Sequence, residues 1–212
     1  MALYLNVGQN ALQTEQFAEG RKSFSQLLNI TRTLKSGYAA RCTAMLALLE
    51  YCAGDVDRAI KLGREAVREA RTVPGLILSH ALANLAAYLL ARDNPGEARG
   101  FLEEAFAGFI AAGSHNPAEL QILAVLVGLE GRLAEAARLI GFVDAERVRK
   151  AQRLEKTQER LYGELSRRLE AGLPAAELAA LKEEGASWTR PEAIEFVRSR
   201  LLSPGFGGTI DC

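Results

Sequence analysis

The sequence predicts an all-α chain, a right-handed α-α superhelix of about four helix pairs followed by a helical C-terminal cap. Three observations predict it. Apolar residues recur at spacings of three and four almost throughout, and neither period-two alternation nor a β-branched run of bounded length competes with them. A short polar turn followed by a small residue returns four times: QTEQFAEGRKSF from Gln13, AGDVDRAIKLG from Ala53, ARDNPGEARGFL from Ala91 and LEGRLAEAARLI from Leu129. The small residues, Gly20, Ala59, Ala98 and Ala136, are spaced by 39, 39 and 38 residues.

Each pair has a second small position twelve residues earlier, at Gly8, Ala47, Ala86 and Ala124, preceded by Val7, Leu46, Leu85 and Leu123. Small residues on two antiparallel helices let the axes approach, while larger apolar neighbours fill the space around them. The pairs span 1–38, 39–77, 78–116 and 117–143. In the second, Ile60, Ala66, Val67 and Ala70 mark a core face, and Lys61, Arg64, Glu65, Arg68 and Glu69 a solvated one. The third turns at Asp93-Asn94-Pro95-Gly96, and Phe101, Phe106 and Phe109, like Tyr51 before them, have the helical spacing of core aromatics. Pro74 and Pro117 punctuate the boundaries between pairs. The fourth pair opens on LQILAVLVGL, interrupted by Gln121 and shorter than the ~20 residues that span a bilayer, so it reads as a buried core helix.

From 144 to 202 the repeat gives way to a helical extension. Residues 144–170 carry interspersed charges with apolar positions at Val148, Ala151, Leu154, Leu161, Leu165 and Leu169, predicting one helix or two joined near Gly163. Gly185 is placed to end the next helix. Thr189-x-x-Glu192 forms a capping box with Pro191 in the first turn, and Ile194, Val197 and Leu201 turn inward. Residues 203–212, rich in glycine, predict a disordered tail.

The helix-pair pattern resembles the tetratricopeptide repeat, W-x₂-L-G-x₂-Y then A-x₃-F over ~34 residues. The first copy reads Tyr4-x₂-Val7-Gly8 and Gly20-x₃-Phe24; the third reads Leu82-x₂-Leu85-Ala86-x₂-Leu89 and Ala98-x₃-Leu102. The repeats here are lengthened and lack the proline that closes the second helix. More specifically, AARLIGFVDAERVR at 136–149 and EEGASWTRPEAIEFV at 183–197 resemble the C-terminal end of the helical-repeat region of large bacterial ATPase-type transcriptional and signalling regulators. In that family an A-A-R-L-L-G-A-A-E-A-like stretch leads into a charged helix, and an E-G-x-x-[ML]-[ST]-x-[ED]-x-A-[VI] pattern closes the region. Trp188 and Pro191 depart from it. The resemblance implies a sensing segment whose ATPase and DNA-binding domains lie elsewhere in a longer parent.

Chemistry within the chain is not indicated. Lys plus Arg and Asp plus Glu balance at 26 each, which offers no footprint for direct nucleic-acid binding. No G-x-x-x-x-G-K-[ST], H-E-x-x-H or CxxC occurs, so neither a catalytic residue nor a cofactor or metal site is nominated. The cysteines at 42, 52 and 212 read as reduced thiols, and the first residues lack a signal peptide, so a cytoplasmic protein with no membrane association is expected.

A helical solenoid offers a groove lined by the first helix of each pair. Repeat phasing places Gln9, Arg41, Tyr51, His80, Asn84 and Gln121 there. The expected function is non-enzymatic: binding of a protein or peptide partner, or of a small-molecule effector, within a bacterial regulator. A free-standing adaptor docking protein partners is the alternative, and a thiol enzyme using Cys52 and His80 a remote one.

Overall fold

A computed structural model describes residues 2–34, 37–73, 75–114, 117–151 and 156–201, and every regular element among them is helical. The order is α1 (Ala2–Gln13), α2 (Phe17–Thr33), α3 (Tyr38–Cys52), α4 (Val56–Ala70), α5 (Ile77–Leu90), α6 (Pro95–Ala111), α7 (Pro117–Leu129), α8 (Leu133–Arg149), α9 (Lys156–Gly172), α10 (Ala175–Ser187) and α11 (Arg190–Phe196), which runs into a π-helical turn over Val197–Leu201. Two compact units divide near the end of α6, Met1–Gly108 and Phe109–Cys212. Pro74 and the tail from 203 lie outside the described residues.

The four repeated turns share one local structure. Each holds one residue with a left-handed backbone, Glu15, Gly54, Asp93 and Gly131 (φ 60°, 90°, 55° and 81°). The next residue's N–H reaches back five residues: Gln16 to the Ala11 carbonyl (2.9 Å), Asp55 to Glu50 (2.9 Å), Asn94 to Leu89 (3.0 Å) and Arg132 to Val127 (2.9 Å). This is the Schellman closure, which satisfies a helix-end carbonyl that would otherwise lack a donor. The carbonyls of Gln16, Asp55, Asn94 and Arg132 then accept the first helical bonds of the following helix, from Gly20, Ala59, Ala98 and Ala136. Two turns add a side-chain cap, with Arg58 N–H donating to Asp55 Oδ1 (3.0 Å) and Glu97 N–H to Asn94 Oδ1 (3.3 Å).

The small residues hold the contacts for which their size suits them. Gly8 and Gly20 are buried, and Ala47, Ala59, Ala86, Ala98, Ala124 and Ala136 are all fully buried. A methyl on Gly8 would run into the Phe24 ring, and one on Gly20 into Leu49. Phe24, Leu27, Leu28, Leu46 and Leu49 fill the core around them.

In the N-terminal unit α1 to α5 pack in sequence, and α3 also touches α5. Ion pairs offset by 39 residues in sequence join α2 to α4 and the end of α4 to α6. Arg32 on α2 meets Glu65 (2.5 Å) and Glu69 (2.7 Å) on α4, and Arg71, 39 residues later and just beyond α4, meets Glu104 (2.6 Å) on α6. Being exposed, these pairs contribute about 0–1 kcal/mol each and serve more to set alignment. Inside, the Tyr51 and Tyr88 rings lie 5.1 Å apart, and the buried Tyr88 hydroxyl has no hydrogen-bond partner. Burial, then the neighbouring Cys52 and Tyr51, pushes its pKa well above 10. Tyr88→Phe removes a desolvated, unbonded group, so stability is expected to stay level or rise by up to about 1 kcal/mol in urea unfolding; a loss of that size would show that the hydroxyl is bonded.

In the C-terminal unit α7 packs on α8 and α9, and α8 packs extensively on α10. Residues Leu120–Gly128 are buried throughout, as a core helix requires. Three expectations change here. The charged stretch breaks not at Gly163, which lies inside α9, but after α8, where Lys150 caps the helix and Ala151 turns left-handed (φ 50°). Leu161, Leu165 and Leu169 are buried as expected, whereas Val148 is exposed because the break carries it off that line; Leu154 lies outside the described residues. Gly185 does not end α10, which continues to Ser187; it sits against the α8 backbone. In the last helix the capping box forms as expected, but Ala193 and Val197 are the buried residues and Ile194 is half-buried. The Leu201 side chain lies outside those described.

Candidate functional site

The predicted groove positions separate by environment. Arg41 on α3 and His80 on α5 are 39 residues apart, on helices that touch. Both are exposed, and half-buried Asn84 follows His80 by one turn on the same face. Ala44 and Leu48, half-buried, follow Arg41 along α3. The result is a strip with a cation and an imidazole at one end and small or apolar side chains beside them.

His80 has a pKa below its ordinary 6.5, first because neighbouring side chains partly desolvate its ring and then because the Arg41 charge opposes a second positive charge. A depressed value in the folded chain means the unfolded chain protonates first. His80 therefore costs nothing above 6.5, and stability falls as the pH drops below that value toward the folded pKa. Arg41→Ala is expected to raise the His80 midpoint in an NMR titration without restoring it fully, because the burial contribution remains. An unmoved midpoint would show that the arginine's field does not reach the ring.

Tyr51 and Gln121 are buried. Tyr51 is buried against Tyr88 in the core. Gln121 is 1% exposed: its Nε2 donates to the Gln158 carbonyl on α9 (3.0 Å) and its Oε1 accepts from Arg147 Nη2. The amide thus joins α7, α8 and α9 instead of facing a ligand. Gln9 lies on α1, and its side chain is outside those described.

The Cys52 and His80 pairing fares poorly on electrostatics. A nucleophilic cysteine needs a lowered pKa, whereas burial pushes the Cys52 thiol up to about 11 and leaves it protonated at neutral pH. Burial also raises Cys42, and the Thr31 hydroxyl at 3.9 Å offsets this only in part.

A second polar cluster surrounds buried Arg147 and joins residues distant in sequence. Arg147 also bonds the Gln158 side chain (3.1 Å), approaches Asp144 (3.6 Å) and lies over the Tyr162 ring at 5.7 Å. Tyr162 donates its hydroxyl to Asp144 (2.8 Å), and burial followed by the Asp144 charge pushes its pKa up to about 12. Burial tends to raise the neighbouring Glu146, but bonds from Arg190 and Lys150 outweigh this and hold it below the ordinary 4.5. These groups answer one another across α8, α9 and α11, which is how buried polar groups lock helices in register. Sequence spacing shows only the in-helix partners of such a cluster.

Among the described residues no group of three His, Cys, Asp or Glu side chains is placed to hold a metal ion. Nor is any described helix long and apolar enough to cross a membrane. The chain matches no protein-family model, no curated protein and no solved structure.

Proposed function

We propose that this chain is a non-enzymatic interaction and sensing module, the helical-repeat part of a bacterial transcriptional or signalling regulator. The observation that carries the reading is the strip on α3 and α5, where Arg41 and His80, 39 residues apart, stand on touching helices beside half-buried Ala44, Leu48 and Asn84. A guanidinium beside a small, partly apolar floor suits a carboxylate or other anionic group on a protein or peptide partner, or on a small-molecule effector. Binding there would shift the population of a switch carried by ATPase and DNA-binding domains of a longer parent. The raised Cys52 pKa weighs against a thiol enzyme.

The test places a photo-crosslinking amino acid at Asn84 in the native host, with a control at Arg68 on the solvated face of α4. A defined adduct at position 84 that is absent at 68 and abolished by Arg41→Glu is the expected result. Equal labelling at both positions, or indifference to Arg41→Glu, would overturn the strip as a binding surface. The genomic reading frame supplies a separate check: no ATPase or DNA-binding domain encoded with this segment would remove the assignment to a regulator.

A further inference from the structure

The helices that carry the strip hold very little charge. α3 has Arg41 and Glu50, and α5 has no ionisable group besides His80 and Tyr88. Glu50 is 1% exposed and already bound to Arg21 and Arg58. Elsewhere in this unit Arg32, Arg64, Arg71 and Arg92 each meet a carboxylate on another helix. Arg41 is exposed, and no described carboxylate pairs with it. The strip therefore carries one cation that its own fold leaves uncompensated.

The face continues for three turns beyond that cation. Leu48 and Cys52 stand two and three turns after Arg41, with Ala44 beside their line, and all three are half-buried. On α5 half-buried Asn84 and nearly buried Ala87 follow His80. The two helices stay together over this length: the Arg41 charge acts on the His80 ring at one end, and the Tyr51 ring lies 5.1 Å from Tyr88 at the other. From Arg41 to Cys52 the axis advances about 16 Å. Along it Asn84 supplies the one side-chain amide, so an extended peptide would find few partners for its own N–H and C=O groups, whereas an aliphatic chain has none to satisfy.

We propose that the ligand of this strip is an aliphatic monocarboxylate of about ten carbons, its carboxylate on Arg41 and its chain laid past Ala44 and Leu48 to Cys52. The assignment rests on the strip being a binding surface and names its occupant. A single anion answers the single uncompensated cation, and a chain of about that length, starting one hydrogen bond from the guanidinium, reaches the third turn. Each methylene tightens binding, by up to about fourfold where it is fully buried.

The test follows both ends of the strip as sodium decanoate is added below its micellar concentration. The His80 ring resonances report the Arg41 end. Maleimide labelling in a Cys212→Ser background reports the other, since Cys42 is buried and Cys52 is half-buried. Decanoate is expected to shift the His80 resonances and to slow Cys52 labelling at least about fivefold, whereas butyrate shifts His80 only and leaves Cys52 labelling unchanged. Arg41→Gln should weaken decanoate binding at least about tenfold with the far-ultraviolet dichroism spectrum unchanged, Arg68→Gln should not, and decanol should bind wild type at least about tenfold more weakly than decanoate. Decanoate that leaves Cys52 equally reactive, or that binds Arg41→Gln as tightly as wild type, would overturn the inference. An Arg41-dependent adduct at Asn84 that decanoate fails to compete would keep the strip as a binding surface and overturn this occupant alone.

Discussion

Gly185→Ala is expected to destabilise the C-terminal unit by about 2–3 kcal/mol, although the same change in an unobstructed helix stabilises by about 1 kcal/mol. The sign turns on what the new methyl meets. At Gly185 on α10 it would drive into the backbone carbonyl of Arg138 on α8, and at Gly141 on α8 into the carbonyl of Lys182 on α10. On each helix the glycine lies three residues after the backbone that its partner's glycine meets, so the contact is reciprocal and backbone stands against backbone. A flexible side chain can swing aside, whereas a carbonyl committed to its own helix cannot, and the helices would have to separate. Ion pairs flank the crossing, Arg138 with Glu184 at 2.8 Å and Lys182 with Asp144 at 3.4 Å, and would be stretched in turn. Gly163→Ala in α9 is the control: nothing lies within 4 Å of the added carbon, so a gain of about 0.5–1 kcal/mol is expected. Urea unfolding followed through Trp188, the chain's one tryptophan, which stacks on Phe196 at 4.7 Å, reads this unit directly. Equal stability of wild type and Gly185→Ala would mean that the helices do not approach so closely.

Arg21→Met should destabilise the N-terminal unit by about 2–3 kcal/mol. Glu50 is 1% exposed on α3 and is held by Arg21 from α2 through contacts of 2.8, 2.9 and 3.0 Å, and by Arg58 from α4 at 3.1 Å. Methionine preserves the apolar stem but leaves the buried carboxylate with one cation. Removing one partner of a buried pair costs more than the pair contributes, because the remaining charge stays out of water. Arg58 keeps the loss below the full cost of an isolated charge. In the double variant with Glu50→Met, most of the lost stability should return, since an apolar replacement of both partners is often close to neutral. Additive losses in a double-mutant cycle measured by urea unfolding would show that the two residues act independently.

The last helices show how far local reading reaches. The capping box at Thr189 and Glu192 was legible because its partners are three residues apart. The break after α8 was not, since neither Lys150 nor Ala151 belongs to the glycine and proline vocabulary that marks helix ends. Gly185 misled because glycine serves two purposes, ending helices and admitting a neighbouring backbone, and only the position of α8 separates them. The candidate site divides in the same way. Arg41 and His80 could be aligned by counting 39 residues, whereas Gln121, which the count aligns with Ala44 and Ala83, is covered by α9.

The helical class, the phase of the small residues and the four turns follow from the chain's local order, because helical bonds, caps and left-handed turn residues all involve partners within about five positions. The crossing of α8 and α10 and the burial of Gln121 and Tyr51 depend on which distant segment covers which face. That choice belongs to the tertiary structure, since it is settled by packing and desolvation summed over many side chains, none of which carries it alone.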